Sequence, residues 1–268
     1  MEQQRRGEIP LETARDGGGS APGREYRAAL YGRYASVQVP GWLTPDPGAD
    51  AVWARAALRR LRGWLPADRS AEILDIGCGA GHLLEALRSA GYRNLRGLDV
   101  SPEAVAIART RHADVHHANL RDYLQETHET FDLICAFDVI EHFRKDEILH
   151  VLTLIWKCLN PSGILVLQTP NAMSPWAAHY RYRDLTHELI FSPECLVSTL
   201  TLCGFRSIEL REVQPYVHGI KSCVRWGLWK LVWAASAIWN LAETGGLCGG
   251  IYSRNMMLRA VKNEGFQW

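Results

Sequence analysis

Residues 73–82 read Ile73-Leu74-Asp75-Ile76-Gly77-Cys78-Gly79-Ala80-Gly81-His82. An apolar strand carrying one acid runs into glycines at every second position and then into the start of a helix. Without Cβ atoms, Gly77, Gly79 and Gly81 let the backbone turn sharply and approach a ligand at the helix N-terminus. The spacing is GxGxG, whereas dinucleotide binders favour GxGxxG, so a nicotinamide dehydrogenase fits poorly. Strand, glycine turn and helix together make the opening unit of a parallel α/β sheet.

The same alternation recurs on both sides of this stretch. Strand-like runs at 72–76, 95–100, 114–118, 131–137 and 164–169 are separated by helical periodicities at 82–90, 102–111, 120–126 and 145–159. Ser101-Pro102 and Ser192-Pro193 read as N-caps with proline in the first turn, and Gly204 ends the helix that Pro193 begins. Right-handed crossovers between such strands give a doubly wound, Rossmann-like α/β sheet. The second strand ends in Gly97-Leu98-Asp99-Val100-Ser101, where α/β nucleotide folds place a ribose-binding carboxylate. The alternative reading makes Asp99 a helix-capping surface acid. Asn119 and Leu120 follow the third strand, placed to bond an adenine amine and to pack on its ring.

Composition bounds the rest. A chain of 268 residues, 47% hydrophobic and 22% charged, suits one medium domain with extensions. Its formal net charge of +1 offers no global field to nucleic acid, so no such partner is expected. The seven cysteines contain no CxxC pair and read as reduced, mostly buried thiols; with no apolar leader in the first twenty residues, a cytoplasmic location is expected. Residues 1–24, charged and carrying Gly17-Gly18-Gly19, are predicted to be disordered, and a first helix is predicted over 50–63.

The glycine loop, Asp99, Phe131-Asp132-Leu133-Ile134 followed by Asp138-Val139-Ile140-Glu141-His142, and Leu159-Asn160-Pro161-Ser162-Gly163 resemble, in that order, the motifs of class I S-adenosylmethionine (SAM)-dependent methyltransferases. The likeness is most specific over 72–171. Tyr31-Gly32-Arg33-Tyr34, Thr169-Pro170-Asn171, Asp184-Leu185-Thr186-His187 and Ser253-Arg254-Asn255 extend it to about 26–262 and are similar to a bacterial branch found with surface-glycan biosynthesis. The resemblance implies SAM as cofactor, held by Asp75, Gly77, Cys78, Gly79, Gly81, Asp99, Val100, Asn119, Leu120 and Asp138, with Asp75 near the methionine ammonium. It also implies seven strands, mostly parallel with the last antiparallel. The chain then divides into a helical lid (25–66), a core (67–213), an insert (214–250) and a final strand (251–262). Tyr31 and Tyr34 share one helical face of the lid, to cover the cofactor, touch the acceptor or simply pack on the first helix.

Methyl transfer from a sulfonium is an in-line displacement, in which positioning supplies much of the rate. A hydroxyl acceptor must also lose a proton to a base or a metal. Asp138, Glu141 and His142 stand at i, i+3 and i+4 after the fourth strand, one face of a helix if the chain is helical there. The trio is similar to the ExxEH divalent-metal motif of ubiquinone and small-RNA 2′-O-methyltransferases, with Asp replacing the first Glu. His187 is placed as a fourth ligand, as a general base, or as a backbone-bonding histidine in an ordered loop. Mg²⁺, Mn²⁺ or Zn²⁺ would suit mixed carboxylate and imidazole ligation. O-methylation of a small-molecule, sugar or lipid-linked glycan acceptor is therefore expected, with Glu141, His142 and His187 catalytic. Methylation of carbon or nitrogen, and a catalytically silent SAM-binding regulator, stay open.

About forty residues separate the sixth strand (205–213) from the seventh (251–260). A parallel sixth strand ends on the cofactor side of the sheet, so the insert starts near the active-site mouth. Within 224–242 lie Trp226, Trp229, Trp233 and Trp239 among leucines and valines. On a helical wheel Lys221, Arg225, Ser236, Asn240 and Glu243 crowd one arc, which Trp229, Val232 and Trp239 interrupt. The pattern is open to an in-plane membrane anchor through 221–243, to a lid or homodimer helix, or to a short transmembrane span.

Overall fold

A computed structural model of the chain describes residues 24–44, 46–112, 114–246 and 250–266. The predicted disordered tail, apart from Arg24, lies outside these residues, as does Cys248. Helices α1 (Arg24–Gly32) and α2 (Tyr34–Val37), a 3-10 turn (Pro40–Leu43) and α3 (Pro47–Leu61) precede the sheet. α3 starts before the expected Asp50 because Asp46 caps it: the carboxylate accepts from the N–H groups of Gly48 and Ala49, each at 3.0 Å, with Pro47 at the first position.

Strand and helix then alternate: β1 (Ile73–Ile76), α4 (His82–Ser89), β2 (Leu95–Asp99), α5 (Pro102–Arg109), β3 (Val115–His117), α6 (Leu120–Glu126), β4 (Phe131–Phe137), α7 (Ile148–Cys158) and β5 (Leu159–Pro170). After them come α8 (Ala177–Tyr182), α9 (Pro193–Leu202), β6 (Phe205–Glu212), α10 (Ile220–Thr244) and β7 (Asn255–Lys262). The spatial order is β3-β2-β1-β4-β5-β7-β6, and β7 runs antiparallel to both neighbours, as expected. The central strands are buried on both faces, which is why 73–76 and 131–136 are nearly continuous apolar runs. Leu74, Ile134, Ile155 and Leu258 belong to the core on one side of the sheet, and Leu61, Trp64, Leu133, Val166 and Met257 to that on the other.

Two strand starts depart from the sequence reading. β5 begins at Leu159 instead of 164, through a register shift opposite Phe131 and Leu133 where Ser162 takes φ +57°. β7 begins at Asn255 instead of 251, because the preceding residues are held elsewhere: Asn171 Nδ2 donates to the carbonyls of Ile251 (2.9 Å) and Ser253 (3.0 Å). The described thiols are mostly buried, as expected: Cys78, Cys135, Cys158 and Cys203 are buried, and Cys195 and Cys223 are exposed. Asn240, grouped by the wheel with Lys221, Arg225, Ser236 and Glu243, is the member of that arc that faces the protein. Gly245, at φ +74°, turns the chain back beneath α10, and Asn240 Nδ2 donates to the Gly246 carbonyl there. No described helix is long and apolar enough to cross a membrane.

Candidate active site

The carboxyl edge of the central strands and the N-terminal helices enclose a cavity of about 610 Å³. Part of its wall is the glycine loop, where Gly77, Gly79 and Gly81 take φ of +67°, +53° and +82°. Side chains avoid that region, and space forbids them here too. A Cβ on Gly77 would stand 2.4 Å from Val139, and one on Gly79 2.6 Å from Trp42 of the 3-10 turn. The loop is pinned from behind: Gly77 and Cys78 donate N–H to the Leu98 carbonyl (2.7 and 3.0 Å), and Gly79 donates to Asp99 Oδ2 (2.9 Å). Ser101 N–H holds the other oxygen of Asp99 at 2.8 Å. Asp99 thus ties the turns after β1 and β2 together, and each oxygen keeps a lone pair for a ligand.

Nine of the ten residues expected to contact the cofactor line this cavity. Gly81 stands behind it, where a Cβ would press on His112 at 2.9 Å. Burial pushes the Asp75 carboxyl well above its usual range, and the charge of Asp99 adds to the push with no hydrogen bond opposing it. A ligand cation would relieve this strain. Burial also raises Asp99, against the pull of its backbone donors. Asn119 caps α6, its Oδ1 accepting from Arg121 N–H at 3.0 Å, which leaves the amide NH₂ for a partner.

After β4 the chain does not continue as an α-helix. Asp138 takes φ +55°, and only Ile140–His142 form a short 3-10 turn. The i, i+3, i+4 register therefore fails, and Asp138 leaves the expected four-residue metal set. Its Oδ1 accepts from Asn255 Nδ2 (3.0 Å) and its Oδ2 from Gln168 Nε2 (2.9 Å), so it faces the cofactor cavity. Burial pushes its pKa up to about 6, against the pull of Gln168.

The other three members do converge: ligand atoms of Glu141, His142 and His187 lie within 4.8 Å of one another. The His142 and His187 rings meet edge to face, their centroids 4.9 Å apart. The Thr186 hydroxyl donates to Asp184 Oδ1 (2.6 Å) and lies 2.9 Å from His142 Nδ1. That nitrogen must then be the donor, which leaves the Nε2 lone pair free. His187 Nδ1 sits 2.8 Å from the Tyr180 carbonyl and donates to it. Burial and the neighbouring His187 lower His142 to about 4, so its imidazole is neutral at pH 7. Glu141 is wholly buried; its Oε2 accepts from Thr169 Oγ1 (3.0 Å), while Oε1 has no partner. Burial and the charge of Asp138 raise its pKa well above the usual carboxyl range.

The N-terminal helices close over these groups. The Tyr31 and Tyr34 rings pack 6.2 and 6.5 Å from His142, Tyr34 Oη donates to Asp184 Oδ2 (2.9 Å), and Arg27 pairs with Glu147 at 2.9 Å. Trp42, Gln168 and the Asp184–Thr186 support of His142 were not singled out from sequence. Thr186 and Asn255 stood inside quoted motifs, whereas Trp42 lies in a proline–glycine turn with no period to reveal it.

Comparison with known proteins agrees with this geometry. A family model described as "Methyltransferase domain" matches residues 50–210. The chain is 30% identical to a tRNA U34 carboxymethyltransferase of Methylococcus capsulatus, over 62% of this chain and 54% of that protein. It is 32% identical to a ubiquinone biosynthesis O-methyltransferase of Azorhizobium caulinodans, over 58% of this chain and 63% of that one. The chain thus spans between half and two-thirds of the length of these relatives. A SAM-dependent methyltransferase from Archaeoglobus fulgidus shares the fold, with a TM-score of 0.58 at 20% identity over 78% of this chain and 94% of that one. Because the family match takes in every parallel strand from β1 to β5 and more than half of the sequence, the chain belongs to the methyltransferase-domain family, and its fold is that of SAM-dependent methyltransferases.

Proposed function

We propose that the enzyme methylates a hydroxyl oxygen, on a small molecule, a sugar or a lipid-linked glycan. The carrying observation is the convergence of His142 and His187 on buried Glu141, with each imidazole anchored through Nδ1 and the His142 ring neutral at pH 7. The acceptor oxygen attacks the SAM methyl carbon as the carbon–sulfur bond breaks, leaving S-adenosylhomocysteine, and the hydroxyl proton passes to an imidazole Nε2. His142 lines the cofactor cavity and is the nearer candidate; His187 stands beside it. Tyr31 and Tyr34 keep water from the reacting centre. The similarity to a ubiquinone O-methyltransferase supports oxygen as the target.

The same donors fit a divalent cation. An orphaned carboxylate oxygen meets two imidazoles whose other nitrogens are fixed by a hydroxyl and a carbonyl, the outer support that metal-binding histidines have. Glu141, His142 and His187 would hold the ion, which would acidify a bound hydroxyl as a Lewis acid.

The test is transfer of an isotopically marked methyl group to a panel of hydroxylated and amine acceptors, with the product read by mass spectrometry. An oxygen-linked methyl is expected. His142→Ala or His187→Ala should lower turnover by about 100-fold while SAM affinity holds. Methyl on nitrogen or carbon, or unchanged turnover in both variants, overturns the assignment.

A further inference from the structure

Helix α10 touches the rest of the protein along one arc only. Ser222, Ala237 and Asn240 are buried there, Trp229 and Trp233 are half-buried, and Trp233 Nε1–H donates to the Gly250 carbonyl at 3.0 Å. The opposite arc carries Ile220, Val224, Leu228, Leu231, Ile238 and Trp239, each between 59% and 86% exposed. The strip follows the whole 25-residue helix, roughly 37 Å at 1.5 Å per residue. Nine of the twenty large hydrophobics exposed among the described residues lie on this one helix, far from the scattered apolar exposure of an ordinary surface.

Charge indicates what covers it. On the helical wheel Lys221 and Arg225 flank the strip on one side and Lys230 on the other. The insert carries three cations against a single carboxylate, Glu243, which already accepts from Trp239 Nε1–H at 3.0 Å; Arg254 follows it, Glu212 beside Lys230 precedes it, and the whole chain is only +1. A second copy docked strip to strip would bring the same excess of cations, with only Glu243 to answer it. Arg254 also reaches the segment after β5: its Nη1 donates to Tyr180 Oη (3.3 Å) and its guanidinium lies 5.8 Å over the Trp176 ring. Trp176, Tyr182 and Leu185 are exposed on that segment, beside Arg181 and Arg183.

We propose that this face docks on an anionic lipid bilayer, with α10 lying in the plane of the interface. The apolar strip enters the headgroup boundary, and the lysine and arginine stems reach back to the lipid phosphates. No described helix can span the bilayer, so the contact is lateral. Because β6 ends and β7 begins at the carboxyl edge of the sheet, docking brings the cofactor cavity to the membrane surface. The inference stands whether or not the methylated atom is oxygen.

Sedimentation with vesicles tests it. The wild-type chain should pellet with phosphatidylcholine–phosphatidylglycerol vesicles, pellet far less with phosphatidylcholine alone, and dissociate as salt is raised. Leu231→Glu with Ile238→Glu, both on the exposed arc, should cut vesicle partitioning by about ten-fold or more while SAM affinity and thermal melting hold. Lys221→Ser with Arg225→Ser provides a second variant that spares the apolar strip and should lower the salt-sensitive part. Failure of the wild type to pellet overturns the proposal. So does a concentration-dependent dimer in light scattering that L231E/I238E dissolves, since the strip would then be covered by a second copy.

Discussion

His142 is held from one side and open on the other. Thr186 and Asp184 fix its Nδ1–H, while the ring shares a small space with His187 and Glu141. Glu141→Gln keeps the shape and removes the ionisable carboxyl. It is expected to lower turnover by about 10- to 100-fold with SAM affinity unchanged, and a chelator should produce a similar loss if the site works with a bound cation. Steady-state kinetics beside calorimetric SAM titration separates these effects. Asp138 answers a different question. Burial sets its pKa at about 6, and a cationic cofactor in the cavity favours its ionised form. Below that pH, binding must expel a proton, so SAM affinity should weaken as pH falls from 7 to 5. Asp138→Asn should flatten that dependence, and asparagine tolerates the positive φ there. An unchanged slope in the variant would remove Asp138 from the cofactor site.

At the scale of elements, the N-terminal helices act as one cover latched at three points: Trp42 on Gly79, Tyr34 on Asp184 and Arg27 on Glu147. Trp42→Ala should weaken SAM binding by about ten-fold, roughly 1.4 kcal/mol, with a much smaller change in melting, because only the cover is loosened. Gly79→Ala should do more harm, since a Cβ at φ +53° is strained by about 1–3 kcal/mol and also strikes the indole. Unaltered affinity in Trp42→Ala would show that the turn packs without gating. The glycine loop and the Ser101 and Ser192 caps were legible in the sequence because their chemistry is local: positive φ needs glycine, and a helix start needs a side-chain acceptor. Asp138 was expected both at the cofactor pocket, whose cavity it lines, and in the metal set, which it leaves because the backbone exits β4 through a left-handed residue. The burial of Asn240 was not legible because a wheel gives arcs without saying which arc meets the protein. Trp42 gave no signal, since contact with Gly79 across 37 positions is a tertiary fact.

For the whole molecule, alternation of strand and helix determined the sheet, and the parallel order β3-β2-β1-β4-β5 follows from right-handed crossovers. A ligand that binds only the folded chain stabilises it by mass action. SAM at about 100 times its dissociation constant should add about 2.7 kcal/mol, a rise of several degrees in melting for a chain of this size. NAD should add nothing measurable. Differential scanning fluorimetry with both ligands checks this, and a larger shift with NAD would overturn the reading of the glycine loop.

Position in the sheet and position in the chain run in opposite senses for β7. It is the last described strand along the chain, yet it sits inside the sheet, and among the described residues β6 pairs with nothing else. During synthesis, β5 must therefore wait with a bare edge and β6 with no ladder until residues 255–262 leave the ribosome. Every nascent chain passes through a stage in which two strand edges are open templates for the wrong neighbour. Sealing the sheet is a closing stitch that waits for residues 255–262, and a chain cut just before Asn255 would keep its glycine loop and lose the strand that joins β5 to β6.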